Sequence, residues 1–250
     1  MILVENLCKS FSDTEVLKDI SLCLERGKVN FILGSSGSGK TVFIKSLLGL
    51  TEIDKGKVFY DGRSFHDLNI KEKQNLRMEI GMVFQGSALF DSYSVVENVI
   101  FPLKMYTDYS IEKMEDIAET VLKKVNLENI GNKYPSELSG GMKKRVAIAR
   151  AIVMKPKYLF FDEPNSGLDP RTSIVIDELI QKITKEYNIT TVANTHDMNS
   201  IMQIGDNIIF LKDGMKKWEG NKTDILHTND KSILDFVFCS DLFKKIRSNI

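Results

Sequence analysis

The stretch "FILGSSGSGKT" (residues 31–41) decides the fold. An apolar run leads in, Gly and Ser fill the middle, and Lys-Thr opens "TVFIKSLLGL" (41–50), whose apolar spacing is helical. Strand, Gly-rich loop and helix in this order make the pattern G-x-x-x-x-G-K-[ST] a strong sign of a phosphate-binding loop. Glycines let the backbone wrap an anion, so that its N–H groups and the helix N-terminus face the phosphate oxygens. Gly34, Ser35, Ser36, Gly37, Ser38 and Gly39 would then cradle nucleotide phosphates, Lys40 would reach the β- and γ-phosphates, and Thr41 would place its hydroxyl on Mg2+. The plain alternative is a flexible Gly/Ser turn ahead of a helix.

A phosphate loop calls for an acid at the end of a second buried strand, and "KYLFFDE" (157–163) supplies two. Asp162 can hold Mg2+ through water, and Glu163 can orient and deprotonate an attacking water, which together imply hydrolysis. Gln85 ends "IGMVFQ" (80–85) and His196 ends "ITTVANTH" (189–196), both apolar strand candidates. In an open α/β sheet the ligand lies beyond the carboxyl ends of the strands. There Gln85 can order water or touch the metal, and His196 can donate to a phosphoryl oxygen. Taken singly, each is more often a structural polar residue. His66 and His227 lie in polar stretches and carry no role.

The chain has 250 residues, 42% hydrophobic and 27% charged, enough for a buried core in one large or two small domains. Lys plus Arg and Asp plus Glu number 34 each, so no global field favours nucleic acid or an anionic membrane. Cys8, Cys23 and Cys239 show neither a disulfide framework nor metal-ligand spacing, which fits a reducing compartment. The start "MILVENLCKSF" lacks the basic and long apolar regions of a signal peptide, and no run of about 18 apolar residues occurs. A role at a membrane therefore requires a partner.

Residues 2–33 read as short β segments, and "KVFYDGR" (57–63) as a strand followed by a polar loop. Residues 86 to about 149 read as a helical insert. In it Ser94 and Glu97 form a capping box, Pro102 is expected to kink or end the helix that follows, and Ser110 caps another whose Ile111, Met114, Ala118, Val121, Leu122 and Val125 share a face. Asp169 and Pro170 open a helix with Ile176, Leu179, Ile180, Ile183 and Tyr187 on one side. Lying between two buried strands, it implies a parallel sheet. "NIIFLKDGMKKWEG" (207–220) reads as a hairpin turning at Asp213-Gly214. Beyond residue 226, Ile233, Phe236 and Val237, then Leu242, Phe243 and Ile246, read as one or two short amphipathic helices that pack on the chain itself or hold a second copy.

"LSGGMKKR" (138–145) poses a problem of charge. It reads as a helix start, where backbone N–H groups are bare, yet it adds Lys143, Lys144 and Arg145 at the end that disfavours cations. Either the patch is simply solvated or an anion is missing. Gly34–Thr41, Gln85, "LSGGM", "YLFFDEPNSGLD" and His196, in this order, resemble the ATP-binding-cassette (ABC) ATPases, over about residues 2–225. The resemblance implies the α/β P-loop NTPase fold of that class, with a RecA-like parallel-sheet core, an N-terminal antiparallel β subdomain and an α-helical subdomain inserted at about 86–149. It divides the chain into a cassette at 1–225 and a C-terminal extension at 226–250.

It also implies ATP and Mg2+ as cofactors, with Lys40, Gln85, Glu163 and His196 in catalysis and Thr41, Gln85 and Asp162 at the metal. The missing anion becomes the γ-phosphate of ATP on a second copy, met by Ser139, Gly140 and Gly141 in a head-to-tail homodimer. Asp169 then lies at the dimer seam. Phe11 sits where the family stacks a ring on adenine, its alternative being an ordinary core Phe. Met142 replaces the commonest Gln after LSGG, a tolerated departure.

One P-loop and a helical insert without sustained heptads leave the transporter class of cassettes, whose permease docks just after the Q-loop glutamine. The wording of "GMVFQGSALFDS" and "ENVIFPL" within residues 81–103 resembles the ATPase subunits of Mla-type phospholipid transporters. That implies an integral-membrane permease and an MCE lipid-binding protein as partners, no nucleic acid, and a location in the cytoplasm, peripheral on the inner membrane. The alternatives are a cassette for another ABC permease or a soluble P-loop phosphotransferase.

Overall fold

The structure, a computed structural model, describes residues 1–238, which fall into two compact units. One holds residues 1–68 and those from 192 on, the other residues 69–191. The first opens with β1 (Ile2–Phe11), β2 (Thr14–Leu24), β3 (Val29–Leu33), α1 (Lys40–Leu47), β4 (Lys55–Tyr60) and β5 (Arg63–Ser64). β2, β1, β4 and β5 form an antiparallel sheet in that order. Ile20, Leu22 and Leu24 alternate into its buried face, as a strand period of two requires. The strand expected at 57–63 is two, because Asp61 and Gly62, both at positive φ, turn the chain back.

The second unit contains α2 (Ile70–Met78), β6 (Ile80–Val83), α3 (Val95–Tyr106), α4 (Ile111–Lys124), α5 (Gly140–Ile152), β7 (Tyr158–Asp162) and α6 (Pro170–Glu186). β6 and β7 are parallel neighbours. α2 replaces part of the polar loop expected after residue 63. Asn69 accepts from the Glu72 N–H at 3.0 Å while the Glu72 carboxylate accepts from the Asn69 N–H at 2.8 Å, which closes a capping box. The expected box at Ser94 and Glu97 and the caps at Ser110 and Asp169 all form. Pro102 does not end α3, which runs on to Tyr106. Burial of Leu103 and its carbonyl's bonds from the Thr107 N–H and hydroxyl (2.9 and 2.8 Å) hold the last turn.

β8 (Thr190–Thr195) leads back into the first unit, followed by α7 (Met198–Ile204), β9 (Asn207–Lys212), β10 (Met215–Gly220), α8 (Lys222–His227) and α9 (Lys231–Val237). There β3 lies between β8 and β9, pairs parallel with β9, and is buried at every residue. Burial on both faces is why these strands read as continuous apolar runs. The hairpin of β9 and β10 turns at Asp213 and Gly214, at φ 53 and 78. In the tail Ile233 and Val237 are buried, and the Phe236 ring lies 5.2 Å from that of Phe210. Leu242, Phe243 and Ile246 fall outside the described residues. Among the described residues no helix is long and apolar enough to cross a membrane.

Candidate nucleotide-binding and hydrolysis site

In the first unit the loop from Gly34 to Gly39 joins buried β3 to α1. At Gly34 a Cβ would come 2.4 Å from the Leu211 carbonyl oxygen and 2.5 Å from Ser38 Oγ, so only glycine lets β3 leave the sheet there. Gly37 and Gly39 have φ of 79 and 99, and nothing lies within 4 Å of a Cβ built at Gly37. α1 starts at Gly39 with no side-chain cap and no acid in its first turn. No side-chain cap therefore competes with an external acceptor at this helix start. Lys40 is nearly buried, and its Nζ donates to the Gly34 and Ser35 carbonyls at 2.8 and 2.9 Å. Ser38 Oγ is buried without a hydrogen-bond partner. A positive cradle with an unsatisfied hydroxyl fits a polyphosphate. Ser35, Ser36 and Thr41 are exposed beside it.

His196 follows β8, the strand next to β3, and is exposed. Asp197 behind it caps α7 by accepting from the Asn199 N–H at 2.9 Å. Phe11 ends β1 at 49% exposure, with Lys9 Nζ 5.2 Å from its ring centre. That exposure removes the core reading of Phe11 and leaves a ring face suited to stacking.

In the second unit β6 stops at Val83, two residues before Gln85, which is exposed. The Gln85 amide donates to Ser166 Oγ at 3.1 Å. Asp162 ends β7, and Glu163 follows at φ 49, a left-handed conformation that is costly for a side chain of this kind. The chain turns there: the Ser166 N–H donates to the Glu163 carbonyl at 3.2 Å, and Asn165 Nδ2 donates to buried Asp177 at 2.8 Å. Among the described residues no cluster of three or more His, Cys, Asp or Glu could hold a metal.

Asp169 caps α6, accepting from the Arg171 and Thr172 N–H groups at 3.0 and 3.1 Å and from the Thr172 hydroxyl at 2.5 Å. The hydroxyl first, then the amides, hold its carboxyl below the usual range. Ser139 caps α5 by accepting from the Met142 N–H at 3.3 Å, and Ser139 and Gly140 are exposed. Gly141 is buried, and a Cβ there would meet Thr172 Cγ2 at 2.5 Å. Because Asp169 pins the Thr172 rotamer, Gly141→Ala is expected to destabilise by about 1–3 kcal/mol, read as a lower urea midpoint.

The three cations after LSGG do not act alike. Lys144 is buried, its Nζ donating to the Gln85 carbonyl at 2.6 Å, and burial lowers its pKa while Asp162 opposes the shift. Arg145 donates to the Asn126 carbonyl at 2.8 Å. Backbone carbonyls therefore answer two of the three charges at this helix start. No sequence pattern marks Ser166 or Lys144 for a role. The only signal for Lys144 was its place three residues beyond buried Gly141, on the face of α5 that also carries Ala147 and Ala151.

A family model described as "ABC transporter" matches residues 17–166. The methionine import ATP-binding protein MetN of Clostridium tetani is 43% identical over 219 residues, which cover 86% of this chain and 67% of that protein. The probable ribonucleotide transport ATP-binding protein mkl of Mycobacterium leprae is 37% identical over 205 residues, covering 82% of this chain and 59% of that one. The chain thus spans about three fifths to two thirds of the length of these curated relatives. A solved dimeric post-hydrolysis state of the ATP-binding cassette MJ0796, bound to ADP and Pi, superposes with a TM-score of 0.80 at 33% identity, covering 89% of this chain and 99% of that one. With the phosphate loop and the strand-end acids in place, these likenesses establish that the chain belongs to the ABC transporter family, as one of its ATP-binding cassettes.

Proposed function

We propose that this chain hydrolyses Mg·ATP to drive a membrane permease and works as a head-to-tail pair of copies. The observation that carries the reading is the cradle from Gly34 to Thr41, with its uncapped helix start, its nearly buried lysine and the unpartnered Ser38 hydroxyl. In this reading Lys40 and the loop N–H groups bind the β- and γ-phosphates, and Phe11 stacks on the base. Thr41, Asp162 and Gln85 hold Mg2+, which when bound neutralises phosphate charge. Glu163 takes the proton of the attacking water, and His196 donates to a phosphoryl oxygen as its charge grows. Ser139, Gly140 and Gly141, with Asp169 at the seam, complete the site of the second copy. The cassette comprises residues 1–225, with 86–149 as its helical subdomain and 226–250 as an extension.

Ser139→Arg tests the shared site. Ser139 is exposed, so the variant is expected to keep its melting temperature within a few degrees while ATP-dependent dimerisation and turnover fall about 100-fold. A variant that still dimerises with ATP would show that the segment lies away from the seam.

The permease contact is read from the groove beside Gln85. A cavity of about 410 Å³ is lined by Phe84, Phe90, Phe101, Pro102, Tyr106 and Met154, among others. Phe84, Phe90 and Tyr106 stay 40–50% exposed, and the Phe90 and Phe101 rings lie 4.8 Å apart. An exposed aromatic groove of this size suits a short helix of a partner.

The cargo proposed is phospholipid, moved with an Mla-type permease and an MCE protein, and the support is the wording of residues 81–103. A small-solute importer is the second reading, favoured by the 43% identity to a methionine import protein. In either reading the chain sits on the cytoplasmic face of the inner membrane, held there by its permease. Affinity capture from detergent-solubilised native membranes, with mass spectrometry of proteins and lipids, separates the two. An MCE protein, a polytopic permease and phospholipid support the lipid reading. A solute-binding protein supports the second, and a purely soluble partner set overturns both.

A further inference from the structure

Lys144 is only 2% exposed, and a charge at that depth is expensive unless it is fully met by hydrogen bonds. Its Nζ donates to the Gln85 carbonyl at 2.6 Å and lies 3.5 Å from the Phe84 carbonyl. Six residues on along α5, Arg150 spreads its fork over the same loop, with Nη2 donating to Ser87 O at 2.9 Å and Nη1 to Ala88 O at 2.8 Å. Ser87 and Ala88 are both left-handed, at φ 65 and 47, a pair of conformations that non-glycine residues hold only when their surroundings impose them. Four of the five carbonyls from Phe84 to Ala88 are thus approached by two side chains of one helix. The same Arg150 stands 5.8 Å from the Phe90 ring and lines the aromatic groove.

We propose that Lys144 and Arg150 are positioning residues that make residues 84–88 ride on α5, so that the helix beginning after Ser139 sets where the Gln85 amide points. Neither touches nucleotide in this scheme. Each acts through the loop, and an occupant of the groove that displaces Phe90 moves the guanidinium that holds Ser87 and Ala88. The kinetic consequence rests on the ATPase reading above, whereas the structural consequence does not.

Amide hydrogen exchange and steady-state ATP turnover on the full chain test this with Lys144→Met and Arg150→Met. Exchange over residues 84–90 is expected to quicken about tenfold or more, while β3 and α1 keep wild-type protection. Turnover at saturating ATP is expected to fall about tenfold with KM for ATP moving less than about twofold, the split that a positioning loss gives and a binding loss does not. Arg150→Lys keeps the charge without the fork and is expected to recover only part of the protection. Unchanged exchange over 84–90 in both methionine variants overturns the proposal. So does loss of protection throughout the chain, which assigns the pair to general packing. If the methionine variants do not fold, Lys144→Gln and Arg150→Lys carry the same comparison. A wild type without turnover sinks the ATPase reading alone, and the exchange measurement still decides the clamp.

Discussion

Lys40→Ala is expected to lower ATP turnover by about 10²–10³-fold, the scale of losing one preorganised donor from developing phosphate charge. The loop seats the ammonium in advance, because the Gly34 and Ser35 carbonyls hold Nζ at 2.8 and 2.9 Å over an uncapped helix start with no acid in its first turn. Alanine removes the side-chain cation of the cradle and keeps its backbone donors, so nucleotide affinity falls as well. The stability cost is smaller. Two carbonyls lose a donor, at about 1 kcal/mol each when water cannot reach them, and the exposure of Ser35 and Ser36 lets water recover part of that. A phosphate-release assay, fluorescent-nucleotide binding and a melting curve together check this. Wild-type turnover in a folded Lys40→Ala protein would exclude the phosphate-loop role.

The parts of the site legible in the sequence are the local ones. Strand, glycine loop and helix are contiguous from residue 31 to 50, and each cap at Ser94, Ser110, Ser139 and Asp169 acts within three residues of itself. α2 had an equally local signal in Asn69 and Glu72 but almost no apolar face, with Leu76 its one buried residue, so periodicity passed over it. Of the two outcomes expected at Pro102, a kink or an end, the end does not occur. A missing N–H argues for a helix end, and packing around Leu103 outweighed it. The Gln85–Ser166 and Lys144–Gln85 bonds join residues 81 and 59 apart, and no local pattern announces them. The charges at Lys143, Lys144 and Arg145 illustrate the limit: successive helix positions point about 100° apart, so adjacent cations face different surroundings, and only the fold shows which turns inward.

Glu163→Gln is expected to leave ATP binding in place and to cut turnover by about 10²–10⁴-fold, the range spanned by a positioned general base. Glu163 sits at φ 49 directly after buried β7, and its carbonyl accepts from the Ser166 N–H at 3.2 Å, so the turn that presents the side chain is fixed by main-chain geometry. Glutamine has the same length and bears the same left-handed cost, and differs chiefly in having no carboxylate to accept a proton. Bound ATP then persists, and the proposed head-to-tail pair is expected to accumulate on size exclusion with ATP where the wild type returns to monomer. Glu163→Gly supplies the control. It relieves the left-handed backbone cost, about 1–2 kcal/mol, and removes the carboxylate, so turnover is expected to be lost as fully as in glutamine. Folded but inactive protein in both variants separates a catalytic carboxylate from a structural one. Wild-type turnover in Glu163→Gln would instead pass the base role to another group.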